Sequence, residues 1–332
     1  MVLTADLTDF NRLGQLIRGL SGASWLLLWP FALCAQPATL TGTVVDTGTD
    51  KPIPFATIEL PARHLGVQAT EAGTFVLNLP AAPNPADSLR VASLGFAPRM
   101  LALPKTNPCR LELTALAVPL TEVVVRPSNA QPVRLGPEED GDKYGFGNGK
   151  LQGEGNTGWQ VARKFTDSPT GLIQSVRFYL TDNKLYGSCG EDGIRAPFRV
   201  RVYAADGENG TPGTDLLIES VVTTAAKMGW HEVDLNKFQL RTPKEGFFVA
   251  MEWLYTDAVF SCERTFTIKA TNEKRVSYCY GQILGGYMND TPKSTWNLKT
   301  GKPWSIFSIT FPNKRMKEGN QNAAIQAMVQ PD

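Results

Sequence analysis

Short runs that alternate apolar and polar residues dominate the chain from about residue 37 onward. In the first part they fall at 40–45, 55–60, 74–79, 89–94, 110–113 and 122–125, between segments rich in Gly, Pro, Asn and Asp. In the run 74–79, Phe75, Leu77 and Leu79 share one face, which is the period of a β-strand. This spacing predicts an antiparallel sandwich rather than alternating strands and helices.

A second set of strand-like runs lies within residues 158–313. The run 198–203 alternates apolar residues with Arg199 and Arg201, and we expect both arginines to face water. The other runs are 159–165, 173–180, 216–223, 230–235, 247–255, 265–268, 276–283 and 304–311. So many short strands predict a second, larger, jelly-roll-like β-sandwich, and the fold class is therefore all-β.

Two segments lack this pattern. Residues 128–157 are acidic and Gly-rich with few large apolar side chains, so they bury too little surface to offset the entropy of ordering them. We interpret them as a linker between the two sandwiches. The polar tail 314–332 is expected to fray, apart from one short helix near 322–329.

The N-terminal region contains one apolar segment, residues 25–35, which reads WLLLWPFALCA and follows Arg12 and Arg18. It is too short to span a bilayer as a helix. It suits the core of a signal peptide covering residues 1–35, with cleavage after Ala35, so the mature chain would have no transmembrane helix. Cys34 leaves lipidation open, although Leu33 precedes it where a small residue is usual. We expect export to the periplasm, the outer-membrane surface or the medium.

Five spaced motifs lie within residues 36–127. They are GTVVD at 42–46, KPIPFATI at 51–58, ATEAGTF at 69–75, SLGF at 93–96 and LTEVVV at 120–125. Together they resemble the carboxypeptidase-regulatory-like domain, although Glu71 stands where that family usually has Asp. The resemblance implies a transthyretin-like, seven-stranded sandwich, found at the N-termini of exported and outer-membrane proteins of Bacteroidota. It implies no peptidase activity.

Charge and cysteine content narrow the function classes. With 33 Lys and Arg against 32 Asp and Glu, the chain has no broad positive field for nucleic acid. Four cysteines follow the predicted leader, and an oxidising compartment would allow three pairings of them. Cys189 precedes the strand at 198–203, and Cys262 follows the run ending at 255. Antiparallel pairing of these strands would bring both to one end of the sandwich, so we predict a Cys189–Cys262 disulfide.

The chain contains no complete catalytic or metal-binding motif. Its histidines, His64 and His231, lack further ligands at motif spacing, and we expect His231 on a sheet face. The acidic residues at 138–142 suit a solvated linker better than a calcium loop. Glu252 and Glu263 suit exposed strand positions better than a glycosidase pair. We therefore predict no cofactor, no metal and no enzymatic activity.

Aromatic residues in polar connections are the remaining candidates for ligand contact. These are Tyr186, Tyr287 and Trp296, whose flat faces suit a sugar or a peptide side chain. The alternative is that they close the ends of the sandwich over its core. The sequence favours an exported, non-enzymatic binding or scaffold protein whose ligand is a glycan or an envelope protein. Two alternatives stay open: an accessory subunit of a TonB-dependent outer-membrane uptake system, and a peptidase or glycoside hydrolase with scattered carboxylates.

Overall fold

The computed structural model describes residues 38–79, 84, 87–116, 130–138, 140–141, 144–152, 158–182, 189–256, 258–268, 271–289, 291–308 and 320–332. The predicted signal peptide, Cys34, the run 122–125 and Tyr186 lie outside these residues. The described chain is nearly all β, which confirms the predicted fold class. Within those ranges, no helix combines the length and apolar character needed to cross a membrane.

The first domain is a sandwich of a three-stranded and a four-stranded sheet, in the orders β4-β1-β7 and β3-β2-β5-β6. β1 runs antiparallel to β4 and parallel to β7. The described residues of this domain contain seven strands; the sequence pattern did not reveal β3 and β6, and the predicted strand at 122–125 lies outside the described residues. The strands are β1 Ala38–Asp46, β2 Thr57–Leu60, β3 Leu65–Gln68, β4 Thr74–Leu79, β5 Ser88–Ala92, β6 Arg99–Ala102 and β7 Cys109–Leu113.

The core of this domain follows from strand alternation. Phe75, Leu77 and Leu79 of β4 are buried while the residues between them are exposed. They pack with Ile58 of β2 and Leu89 of β5, both fully buried, from the facing sheet. Each such side chain contributes about 1.5–3 kcal/mol by leaving water, and this burial holds the two sheets against each other.

The second domain contains the other strands, in two sheets. One has the order β13-β12-β16-β10-β19-β20, and the other has the path β17-β18-β11-β22-β8, with β9, β14, β15 and β21 paired beside it. The strands are β8 Val133–Leu135, β9 Tyr144–Leu151, β10 Trp159–Phe165, β11 Gly171–Thr181, β12 Phe198–Ala204, β13 Val221–Thr223, β14 Gly229–Asp234, β15 Leu240–Arg241, β16 Phe247–Trp253, β17 Ser261–Ile268, β18 Glu273–Asn289, β19 Thr295–Lys299, β20 Ser305–Ile306, β21 Asn320–Ala323 and β22 Ile325–Pro331.

These two sheets enclose the larger core. Phe198, Phe247 and Trp253 of the first sheet pack with Phe178 and Ile325 of the second, and all five are essentially fully buried. This confirms the predicted second β-sandwich, while its jelly-roll connectivity stays a prediction. Helical structure in the described residues is limited to α1 Gly190–Ile194 and the 3-10 turns Pro61–Arg63, Glu208–Gly210, Asn236–Phe238 and Ala258–Phe260.

The interpretation of residues 128–157 as a linker is wrong for the part that the structure describes. β8 pairs with β22 and β9 pairs with β18, so both strands belong to the second sandwich. Tyr144 and Phe146 alternate with glycines and enter the large core, with 1% exposure each. Glycine also permits close packing between β18 and the chain that leads into β9. A Cβ on Gly285 of β18 would lie 2.2 Å from the carbonyl oxygen of Gly141.

The predicted fraying of the tail, with its short helix near 322–329, is also wrong for the described residues 320–331. Residues 320–331 form β21 and β22 apart from Ala324, and β22 pairs with β11 along most of its length. Ile325, Ala327 and Val329 share the buried face, which is a strand period rather than a helical one. The polar residue between them, Gln326, is buried but accepts a hydrogen bond from Arg177 at 2.9 Å.

The predicted disulfide is present. Cys189, immediately before α1, is bonded to Cys262 in β17, with a sequence separation of 73. Cys109 and Cys279 have free thiols, the first buried in the first domain and the second partly buried in β18.

Candidate functional site: the cleft between the domains

A cleft of about 1020 Å³ lies between the two sandwiches. One wall is the outer face of the first domain's four-stranded sheet, and the other is the outer face of the second domain's six-stranded sheet. Strand alternation sets the second wall: along β12, Phe198 and Val200 enter the large core, while Arg199 and Arg201 point the other way and line the cleft.

Direct contacts hold the two walls together. Gln68 of β3 donates a hydrogen bond to Glu252 Oε1 at 3.0 Å, and its own Oε1 accepts one from the backbone N–H of Tyr255 at 3.3 Å. The backbones also meet directly, since a Cβ on Gly301 would lie 2.4 Å from backbone atoms of Leu65. The domains are therefore packed against each other at this edge of the cleft.

The floor of the cleft is a buried ionic cluster. Glu252 of β16 lies 3.4 Å from Arg199 and 3.8 Å from Arg201, measured between side-chain oxygen and nitrogen atoms. Arg201 also forms an ion pair with Asp215 at 2.8 Å. The side chains of Arg199 and Glu252 are 4% and 2% exposed. The expectation that both arginines face water is wrong, because the first domain covers this face of the sheet.

Arg199 is incompletely satisfied within the cluster. Its Nε is buried and has no hydrogen-bond partner among the described residues. Its guanidinium carbon lies 5.7 Å from the centre of the Phe55 ring, a cation–π distance, across the boundary between the domains. Burial lowers the pKa of Arg199, while the negative charge of Glu252 opposes this shift. Glu252 is thus the closest counter-charge to a costly buried cation.

The polar floor continues from Arg201 through Tyr203 to Gln160 of β10. The hydroxyl of Tyr203 accepts a hydrogen bond from Arg201 Nε at 2.9 Å and donates one to Gln160 Oε1 at 2.8 Å. Burial raises the pKa of Tyr203 well above its usual range. Burial also raises the pKa of Asp215, although the positive charge of Arg201 opposes that shift. The floor therefore offers fixed donors and acceptors with opposite charges paired.

The rim of the cleft is apolar and partly exposed. Ile218 and Leu116 are 51% and 53% exposed, and Trp304 packs edge-to-face on Tyr203 with 5.6 Å between ring centres. Other apolar rim residues are Leu94, Phe96, Pro98 and Pro303. The cleft thus combines apolar side chains with fixed polar groups, as small-molecule sites do.

Neither described member of the predicted aromatic trio lines this cleft. Tyr287 lies in β18, not in a loop, and is 5% exposed, with its hydroxyl accepting a hydrogen bond from Arg163. Trp296 lies in β19 and packs edge-to-face on Phe248 at 5.9 Å between ring centres. Both lie in strands and pack against other side chains, whereas the sequence placed them in polar connections, and Tyr186 lies outside the described residues.

The other side chains considered from the sequence lie apart from one another. His231 is on β14 opposite Phe178, and its Nε2 lies 2.9 Å from the hydroxyl of Thr223. His64 lines the cleft. Glu252 is buried, so the expectation of an exposed position is wrong for it, whereas Glu263 is exposed and belongs to the other sheet. In the described part of the chain, no three His, Cys, Asp or Glu side chains gather as a metal-binding group.

One sequence signal did point to the floor. Glu252 interrupts a continuous apolar run at 247–255, which is typical of a strand buried on both faces. A carboxylate in such a strand requires a partner, and the alternating Arg199 and Arg201 were the available cations. Comparison with protein-family models finds no match for this chain, and a search of the curated proteins finds none either.

Proposed function

We propose that this protein is an exported, non-enzymatic binding module of the bacterial envelope and that the cleft between its two sandwiches holds a neutral glycan. The observation that carries the proposal is the cleft itself, with a floor of paired ions and an apolar rim. Export is supported by the N-terminal apolar segment and the resemblance to carboxypeptidase-regulatory-like domains. The Cys189–Cys262 disulfide is compatible with an oxidising compartment.

The pairing of the cleft's arginines favours a neutral ligand over an anion bound through them, although Lys302 also lines the cleft. The guanidinium groups of Arg90, Arg199 and Arg201 are each engaged by a carboxylate, from Glu59, Glu252 and Asp215 respectively. A free anion would have to compete with these fixed carboxylates, and a free cation with the arginines. Hydroxyl groups, which both donate and accept, can bind such a floor without displacing either partner.

The rim supplies the aromatic surfaces that a sugar site needs. Trp304 and Phe96 line the cleft, and aromatic faces pack well on the apolar faces of sugar rings. The volume of about 1020 Å³ lies at the upper end of the range for ligand pockets, roughly 300–1,000 Å³, which suits an oligosaccharide better than a single sugar.

A glycan array followed by calorimetry on the positive oligosaccharide tests the proposal. Ile218→Trp places a large side chain at the rim from an exposed position, so it should obstruct the cleft without disturbing the core. Val222→Trp is the matched control, because Val222 is 45% exposed and does not line the cleft. We expect Ile218→Trp to abolish binding and Val222→Trp to leave it unchanged.

Trp304→Ala provides an independent measurement. Truncating a buried aromatic anchor typically costs about 2 kcal/mol of binding, which corresponds to a roughly 30-fold higher Kd. Trp230→Ala is its control, since Trp230 is also partly exposed but lies outside the cleft. The proposal is overturned if no glycan binds, if peptides bind the cleft instead, or if the rim and control variants bind alike.

A further inference from the structure

Three of the four described cysteines lie together beside α1. Cys189 and Cys262 form the disulfide, and Cys279 of β18 stands directly opposite Cys262 of β17 in the antiparallel pair. The carbonyl oxygen of Cys279 lies 3.4 Å from the Sγ of Cys189. The fourth, Cys109, is in the first domain's core.

The position of Cys279 suits a bond to Cys262. Directly opposed residues of an antiparallel pair point to the same face, with their Cβ atoms about 4.5–5.5 Å apart. A disulfide requires a Cβ separation of about 3.5–4.5 Å, so a small local shift is sufficient. Cys262 therefore neighbours both Cys189, its present partner, and Cys279, and it can bond to only one of them.

We propose that Cys189, Cys262 and Cys279 form a thiol–disulfide exchange site, in which Cys262 moves its bond from Cys189 to Cys279. The thiolate of Cys279 attacks the Sγ of Cys262, and the Cys262–Cys279 bond forms as the Cys189–Cys262 bond breaks. The electron pair leaves on Cys189, which takes up the proton that Cys279 lost. One disulfide and one thiol are present before and after, so no external oxidant is needed.

The surroundings accommodate the product. After exchange, the thiol of Cys189 can donate a hydrogen bond to the Cys279 carbonyl that already lies beside it. Burial raises the pKa of the Cys279 thiol, with Arg264 opposing the shift, so the thiolate fraction is small and exchange is slow. Uncatalysed rearrangements of this kind take minutes to hours.

The exchange changes which parts of the chain are tied together. The Cys189–Cys262 bond fastens the chain just before α1 to the β17–β18 hairpin. The Cys262–Cys279 bond instead cross-links that hairpin to itself and releases the segment leading into β12. Because β12 carries Arg199 and Arg201, the released segment connects directly to the floor of the cleft.

Disulfide mapping of the full chain tests the proposal. The protein is incubated for hours in a buffer of reduced and oxidised glutathione, quenched with acid, alkylated and digested with trypsin. Each cysteine then lies on its own peptide: Cys189 on 185–195, Cys262 on 245–264 and Cys279 on 276–293. We expect a link between 245–264 and 276–293, matched by alkylated Cys189, in about 0.1–10% of molecules, the range of a minor conformer.

Two variants sharpen the result. Cys279→Ser should remove both the new link and the alkylated Cys189, and Cys189→Ser should give Cys262–Cys279 as its main disulfide. The wild-type measurement stands alone if a variant misfolds. The proposal is overturned if the wild type retains only the original link, if Cys189 is released without the new link, or if Cys279 bonds to Cys189 instead.

Discussion

Replacing Glu252 by Gln should destabilise the whole protein by an amount unusual for so small a change. Gln has nearly the volume of Glu and keeps an oxygen that can accept from Gln68, so the variant removes little besides the charge. That charge lies 3.4 Å from Arg199 and 3.8 Å from Arg201, and its side chain is 2% exposed.

The magnitude follows from the burial of the partner. Arg199 has no other counter-ion within ion-pairing distance in the described residues, and its side chain is 4% exposed. Breaking a buried ion pair by removing one partner costs about 3–5 kcal/mol, because the remaining charge stays desolvated. A protein of ordinary stability has about 5–15 kcal/mol in total, so the loss should be plain in urea unfolding.

Two further variants separate this cause from others. Arg199→Met combined with Glu252→Gln also removes the guanidinium charge that Glu252→Gln leaves buried and unpaired. The double variant should therefore be more stable than Glu252→Gln alone. Glu191→Gln is the surface control, because its pair with Arg195 is 93% exposed on the glutamate side and should matter little. A free energy of unfolding for Glu252→Gln within about 1 kcal/mol of wild type would refute the reasoning.

Two other predictions concern the second domain. Burial lowers the pKa of His231 below 6.5, so the imidazole of the unfolded chain takes up a proton at higher pH than that of the folded chain. The free energy of unfolding should therefore fall as the pH drops below 6.5. His231→Gln should lessen that fall, measured by urea unfolding at two pH values. Equal pH dependence of both proteins would contradict this. Cys262→Ala removes the disulfide that closes a loop of 73 residues, so it should lower the free energy of unfolding by about 4 kcal/mol in the chain-entropy model. A decrease below about 1 kcal/mol in chemical unfolding would count against this value.

Local pattern was sufficient to predict most of the strands. The run 159–165 corresponds to β10 residue for residue, and 74–79 corresponds to β4, where buried and exposed residues alternate without interruption. The Cys189–Cys262 disulfide was also predictable, since antiparallel neighbours bring the chain segments flanking them to one end of a sheet.

The predictions for the linker and the tail were wrong because small and polar residue types suggested exposed, irregular chain where the structure has buried strands. Glycine between Tyr144 and Phe146 resembled a flexible linker, but these residues form β9, which pairs with β18. Similarly, the small and polar residues around Ile325 and Val329 suggested a frayed tail or a helix. Only pairing with β11 shows that their alternate positions face a core.

The sequence by itself determined the all-β class, the two-sandwich division and the position of the disulfide, because these depend on short-range alternation and on strand direction. Only the tertiary structure decided the site. Arg199 and Arg201 occupy the outer face of their sheet, where sequence pattern predicts contact with water. The first domain packs over that face through Gln68 and Phe55, and this long-range contact turns exposed positions into a buried ionic floor.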